Sequence, residues 1–236
     1  IDSLYLINSI VNKLQQIPHV NAVRLRSLKF NYAQEMYTPT IINRLGELNR
    51  LIIVNPLRLE IETWFLKADE ITFEHAKLTR SLSNKGITVY SNTPLLGGIN
   101  DSPDEIHKLA YGCRQAGIEF HHLYIAGLPV QEHWNRSHPV DMYDVIDIAT
   151  TVRREGSGRE IPRYIVQTPL GEVDYGLTSS FVYDNGNMFI TLECYPLSYF
   201  QSMAPDFSFP ENVRVDSEGK PVIQVSGMTR SSDFPI

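Results

Sequence analysis

The feature that most restricts this chain is alternation. From residue 4 to about residue 170, strand-like and helix-like segments follow one another about five times, on a repeat of roughly 30 residues. Strands alternating with helices in this way are joined by crossovers and lie parallel. An open doubly wound sheet and a (β/α) barrel both satisfy the pattern. Leu4, Ile7, Ile10, Val11 and Leu14 share one helical face. A strand is expected at 21–28. Thr38 caps a helix over 38–49, with Pro39 at its favoured first position. LIIVN, residues 51–55, is apolar throughout and reads as a strand buried on both faces. Residues 72–86 form a capped helix. His75 stands where a capping box needs Glu or Gln, so no true box is expected there. Strands follow at 87–93, 118–127 and 162–168. Helices follow from Ser102 and over 138–156, the latter with Asp141 and Asp144 at its start and Arg153 and Arg154 at its end, as the helix dipole favours.

After Gly171 the texture changes. Asp184-Asn185-Gly186-Asn187 is a hairpin signal between two β-rich runs, and residues 217–220 mark a second turn. The expected organisation is therefore a barrel-type domain over 1–170 and a β-rich C-terminal extension over 171–236.

Composition narrows the function. A 236-residue chain that is 42% hydrophobic can build a sizeable core. Its net charge of −6 argues against a nucleic-acid partner, which needs an excess of Lys and Arg. No apolar run approaches the roughly 20 residues that span a bilayer, so no membrane partner is expected. The two cysteines, Cys113 and Cys194, build neither a disulfide framework nor a thiolate metal site. They fit reduced thiols in a cytoplasmic compartment, and no metal ligands are assigned.

Several side chains have the chemistry of a site. In TPLLGGIND, residues 93–101, Gly97 and Gly98 join a strand to a helix that opens with the capping box Ser102-Pro103-Asp104-Glu105. That rim binds ligands in parallel α/β folds, yet the spacing is neither GxGxxG nor a P-loop. Arg24 and Arg26 share one strand face and would bind a carboxylate if it points inward. Glu132 and His133 are a candidate acid–base pair or substrate contact. His121 and His122 are adjacent on a strand, so they point to opposite faces.

The run SNTPLLGGINDSPDEIHKLAYGCRQAGIEFHHLYIAGLPVQEHW, together with IPHVNAVRLRS, ADEITFEHAKLTRSLSNKGITV and GSGREIPRYIVQTP, resembles the C-terminal half of the lysine 2,3-aminomutase family of radical S-adenosylmethionine (SAM) enzymes. The likeness covers about residues 8–175, with the motifs in shared order. It implies a partial (β/α) barrel of radical SAM type, a [4Fe–4S] cluster, SAM, and a small amino-acid-like substrate. By position it places Asn92 at the family's SAM-contacting Gln, Tyr124 beside the cofactors, and Asn55, with Arg58 nearby, at a rim where the family has His. Departures are equally clear. No CxxxCxxC is present to hold the cluster. With Ile1 in place of Met, this implies a chain lacking its N-terminal segment and inactive alone. The lysine that binds pyridoxal phosphate (PLP) falls near Asp174, so PLP is not expected there. Carboxylates that hold the substrate's amino groups fall near Gly127 and Gln167, neither of which is acidic. The alternatives are a non-catalytic barrel module that binds a small molecule or a protein, and an unrelated barrel enzyme using Glu132 and His133. An incomplete barrel exposes strand edges, so the missing segment or a second copy is expected to cover them.

Overall fold

The computed structural model describes residues 4–49, 56–176 and 178–230. The elements run α1 (Leu4–Leu14), β1 (Ala22–Arg26), α2 (Lys29–Tyr32), α3 (Pro39–Leu48), β2 (Arg58–Thr63), α4 (Phe73–Ser83), β3 (Thr88–Pro94), α5 (Pro103–Ala116), β4 (Glu119–Ala126), α6 (Pro129–Trp134), β5 (Val140–Asp141), α7 (Met142–Glu155), β6 (Arg163–Thr168), β7 (Gly171–Asp174), β8 (Ser179–Asp184), β9 (Asn187–Leu192), α8 (Leu197–Met203), β10 (Arg214–Val215), β11 (Pro221–Val225) and β12 (Met228–Thr229). The fold is mixed α/β. A six-stranded sheet has the order β1-β2-β3-β4-β6-β7, as a partial barrel requires. β1 and β2, β2 and β3, and β4 and β6 pair parallel, while β7 turns back antiparallel on β6.

The second strand departs from the sequence reading. The expected strand at 51–55 lies outside the described residues. The strand that pairs with β1 is Arg58–Thr63, a segment with no assignment from sequence. Its Leu59 and Ile61 are fully buried while Glu60 and Glu62 alternate with them on the other face. Charge at every second position concealed the strand.

By its contacts the chain divides into two compact units. The first comprises Ile1–Thr93, His107–His121 and Glu155–Ile161. Its core includes Leu59, Ile61, Val89, Leu109 and an edge-on aromatic group in which Phe30 meets Tyr37 at 5.9 Å and Phe65 at 6.4 Å. α3 starts as expected, with Thr38 Oγ1 accepting from the Ile41 amide at 3.3 Å and Pro39 next in line. At α4, the Thr72 amide donates to His75 Nδ1 at 3.0 Å, so a histidine completes the capping box after all. Burial lowers the His75 pKa and favours the neutral ring, whose Nδ1 can accept.

The second unit comprises Pro94–Ile106, His122–Arg154 and Pro162–Ile236. Ile125, Ile148, Ile165, Ile190 and Leu192 are among its fully buried side chains. The hairpin expected at 184–187 forms, with Asn185 and Gly186 both at positive φ and Asp184 opposite Asn187. β9 and β11 lie at the centre of an antiparallel sheet ordered β10-β11-β9-β8. α7 begins at Met142 and not at residue 138. Val140 and Asp141 instead pair parallel with Met228 and Thr229, and the Asp141 carboxylate accepts from the Tyr143 amide at 2.8 Å to open the helix.

Candidate functional site

In the first unit, cross-strand register builds one polar sheet face. Arg24 stands opposite Glu60, and Arg26 opposite Glu62; Glu62 in turn stands opposite Tyr90. Partners across a parallel ladder project to the same side, and Asn92 joins them two residues beyond Tyr90. Glu60 is 2% exposed and holds Arg24 Nε on one oxygen at 3.0 Å and Arg58 Nε on the other at 2.7 Å. Glu62 takes Arg26 Nε at 2.7 Å and lies 3.7 Å from Arg24 Nη1. The Arg24 guanidinium also lies over the Tyr90 ring, 4.6 Å from its centroid. Burial, and then the Glu60 charge, raise the Tyr90 pKa. The Tyr90 ring meets His121 at 5.0 Å.

Three guanidinium groups on two carboxylates leave one net positive charge. The carboxylates bond Arg26 and Arg58 through Nε, and these two bonds do not use the terminal NH2 groups. Asn92 is 5% exposed, and its Oδ1 has no hydrogen-bond partner. A buried amide oxygen without a donor is costly, and a ligand hydroxyl or amine would satisfy it. Asn55 lies outside the described residues.

In the second unit, residues 94–101 form a tightly satisfied turn. The Leu96 amide donates to Asn100 Oδ1 at 2.7 Å, and Asn100 Nδ2 returns to the Pro94 carbonyl at 3.0 Å. Gln131 and Asn135, both buried, each donate to the Leu95 carbonyl at 3.0 Å. The Gly97 amide donates to Asn135 Oδ1 at 3.1 Å, and the Gly98 amide to Asp101 Oδ2 at 2.8 Å. Trp134 Nε1 holds the Gly97 carbonyl at 2.9 Å. Neither glycine amide is thus presented to a phosphate. Gly97 is required by close packing, since a Cβ there would overlap the His138 carbonyl oxygen. Gly98 has φ of 70° and open space around it. Gln131 and Asn135 had no role in the sequence reading. Their only sequence signal was a four-residue spacing, from within α6 to the residue that caps its C-terminus.

Tyr124 on β4 is 4% exposed and donates its hydroxyl to Glu172 Oε1 on β7. His122 meets the Tyr124 ring edge-on at 5.7 Å, and its Nδ1 lies 3.9 Å from Glu172 Oε2. Asp174 is held by Arg163 through two hydrogen bonds, at 3.0 and 2.7 Å. Gly127 has φ of 93°, and a Cβ there would overlap the Gln167 carbonyl oxygen, so no carboxylate-bearing residue fits position 127 without moving the backbone. Glu132 and His133 both lie exposed on α6. His138 stacks on Trp134 with ring centres 4.5 Å apart. Among the described residues, no group of three or more His, Cys, Asp or Glu side chains could hold a metal ion. Cys113 is fully buried and its pKa is pushed up to about 12 by burial, whereas Cys194 is exposed. Among the described residues no helix is long and apolar enough to cross a membrane.

Comparison with known proteins shows what the chain is similar to. No family profile matches the chain. Individual proteins do. The chain is 29% identical over 166 residues to L-lysine 2,3-aminomutase of Fusobacterium nucleatum, covering 70% of this chain and 36% of that protein. It is 28% identical over 163 residues to L-lysine 2,3-aminomutase of Clostridium subterminale, covering 69% and 36%. The chain is thus similar to lysine 2,3-aminomutases over about 70% of its length. Glutamate 2,3-aminomutase of Clostridioides difficile is 26% identical over 184 residues, covering 78% of the chain and 41% of that protein. The chain therefore spans between about 36% and 41% of the length of these relatives.

Proposed function

We propose that this chain is the C-terminal part of a radical SAM enzyme similar to lysine 2,3-aminomutase. It acts on a small amino-acid-like substrate and does so without the usual PLP lysine. In this reading residues 1–170 form a radical-SAM-type partial barrel, and 171–236 form a β-rich extension. The observation that carries it is likeness to aminomutases over about 70% of the chain, joined to a buried, unpartnered oxygen of Asn92, the residue that the family resemblance matches to a SAM contact.

The cofactors fit unequally. SAM, which supplies the radical when bound, suits Asn92: the free Oδ1 is an acceptor for a ribose hydroxyl. Arg24 and Arg26, with Arg58, supply guanidinium edges for a substrate carboxylate. The family resemblance matches Tyr124 to a residue beside the cofactors, and the amides of Gly97 and Gly98, both engaged, do not grip phosphate. The residues present do not fit a [4Fe–4S] cluster, because one of the two thiols is buried and protonated and no third exists. The cluster ligands are expected in a preceding segment of the same protein. Nor does position 174 fit PLP, since Asp174 is engaged by Arg163.

The test is the coding sequence immediately upstream. A CxxxCxxC there supports the radical enzyme, and its absence removes it. The Arg–Glu ladder favours a second reading, a non-catalytic module that binds a small molecule or partner, because both carboxylates already have cations of their own. Under that reading the protein binds its ligand with no turnover of SAM.

A further inference from the structure

The second unit holds a carboxylate, that of Glu172, to which the family likeness assigns no role. Glu172 lies on β7 directly opposite Gln167 of β6. Its side chain is 43% exposed, while the two groups that orient it, Tyr124 and His122, are each 4% exposed. Tyr124 donates to Oε1, which defines Glu172 as the acceptor, and His122 Nδ1 stands 3.9 Å from Oε2. No lysine or arginine among the described residues forms an ion pair with this carboxylate. Arg163 feels the Glu172 charge, but its hydrogen bonds, through Nε and Nη2, go to Asp174. Gln167 does not neutralise Glu172 either, because its amide donates to the Thr168 carbonyl at 3.1 Å. Beside this group, position 127 carries no side chain and accepts none.

A carboxylate steered by two buried aromatic groups, yet without a salt-bridged lysine or arginine among the described residues and open to solvent, has lone pairs for an external donor. We infer that Glu172 is a binding residue for a protonated amino group of a small ligand, with Tyr124 and His122 as its positioning residues. The inference rests on the reading of an amino-acid-like substrate. It deepens that reading by supplying, from β7, a carboxylate that positions 127 and 167 lack.

Calorimetric titration of the full-length protein with L-lysine, L-norleucine and hexanoate tests it. These probes carry two, one and no amino groups. Wild type is expected to prefer the amino-bearing ligands. E172Q is expected to lose at least about tenfold in affinity for them and nothing for hexanoate, with E172D recovering part of the loss. Circular dichroism and melting temperature confirm that each variant is folded. An equal loss for all three ligands, no loss for any, or a wild type with no preference for amino groups overturns the inference. SAM cleavage is measured on the same preparation. Glu172-dependent lysine binding without SAM cleavage refutes the radical function alone, and SAM cleavage with Glu172-independent binding refutes this inference alone.

Discussion

Gly97 and His138 meet so closely that a single methyl on Gly97 would overlap the His138 carbonyl oxygen. The contact explains why two adjacent glycines behave differently. G97A forces backbone apart in a packed region and is expected to cost about 2–3 kcal/mol or more. G98A meets no atoms and strains only a φ of 70°, at about 1 kcal/mol. Urea unfolding of the two variants checks this, and equal losses would show that the turn yields at position 97.

Asn135 serves both the Gly97 amide and the Leu95 carbonyl. N135L removes both bonds at similar size. It leaves the Gly97 donor buried without a partner, at about 1–3 kcal/mol. N135D keeps the acceptor for Gly97 but turns the donor toward Leu95 into an acceptor, so it is expected to lose stability as well. Hydrogen exchange of the Gly97 amide reports the effect locally, with protection lost in N135L and retained in N135D.

These two residues show where the sequence stopped being legible. Alternating elements, the Thr38 cap and the hairpin at 184–187 could all be read, because each depends on neighbours close in sequence. Gln131 and Asn135 could not, since their partners lie 36 and 40 residues away at Leu95. Arg24 and Arg26 were legible as a pair on one face, but not as a ladder. Their partners, Glu60 and Glu62, sit on a strand overlooked beside the more apolar 51–55. The start of α7 was misplaced for a similar reason: Val140 and Asp141 take their partners from residues 228–229, which no local pattern announces.

His75 predicts an acid-sensitive fold. Its pKa is lowered from the ordinary 6.5, chiefly by burial. A histidine with a lower pKa folded than unfolded adds stability that is complete above the unfolded value and disappears as pH falls through the folded one. Protonation also takes Nδ1 away from the Thr72 amide. The melting temperature is expected to fall between pH 7 and pH 5, and H75Q is expected to flatten that part of the curve. An unchanged slope in H75Q would assign the acid sensitivity elsewhere.

Cys113, with a pKa of about 12 set by burial, is almost wholly protonated at pH 8, and its thiol is inaccessible. In the 236-residue chain, Ellman's reagent should titrate one thiol in the native state, Cys194, and two after denaturation. Two rapid equivalents in the native state would contradict the packing of α5.

Glu60 anchors two guanidinium groups from a site 2% exposed. E60Q keeps the shape but removes the charge. Arg24 and Arg58 are partly solvated, so screening limits the cost to about 1–3 kcal/mol. The change also frees Arg24 from one of its carboxylates, so a carboxylate-bearing ligand is expected to bind E60Q no more weakly than wild type. Loss of that binding would mean that the ladder, and not the arginines' free edges, makes the site.

Under the proposed function, this sheet belongs to a protein that cleaves SAM. Full-length protein, reconstituted anaerobically with iron and sulfide and then reduced, should release 5′-deoxyadenosine from SAM. N92A should raise the SAM concentration needed for half-maximal release about tenfold, the worth of a hydrogen bond to a buried acceptor. Deoxyadenosine formed by wild type and weakened in N92A is the predicted result; a reconstituted, folded protein that releases none contradicts the account.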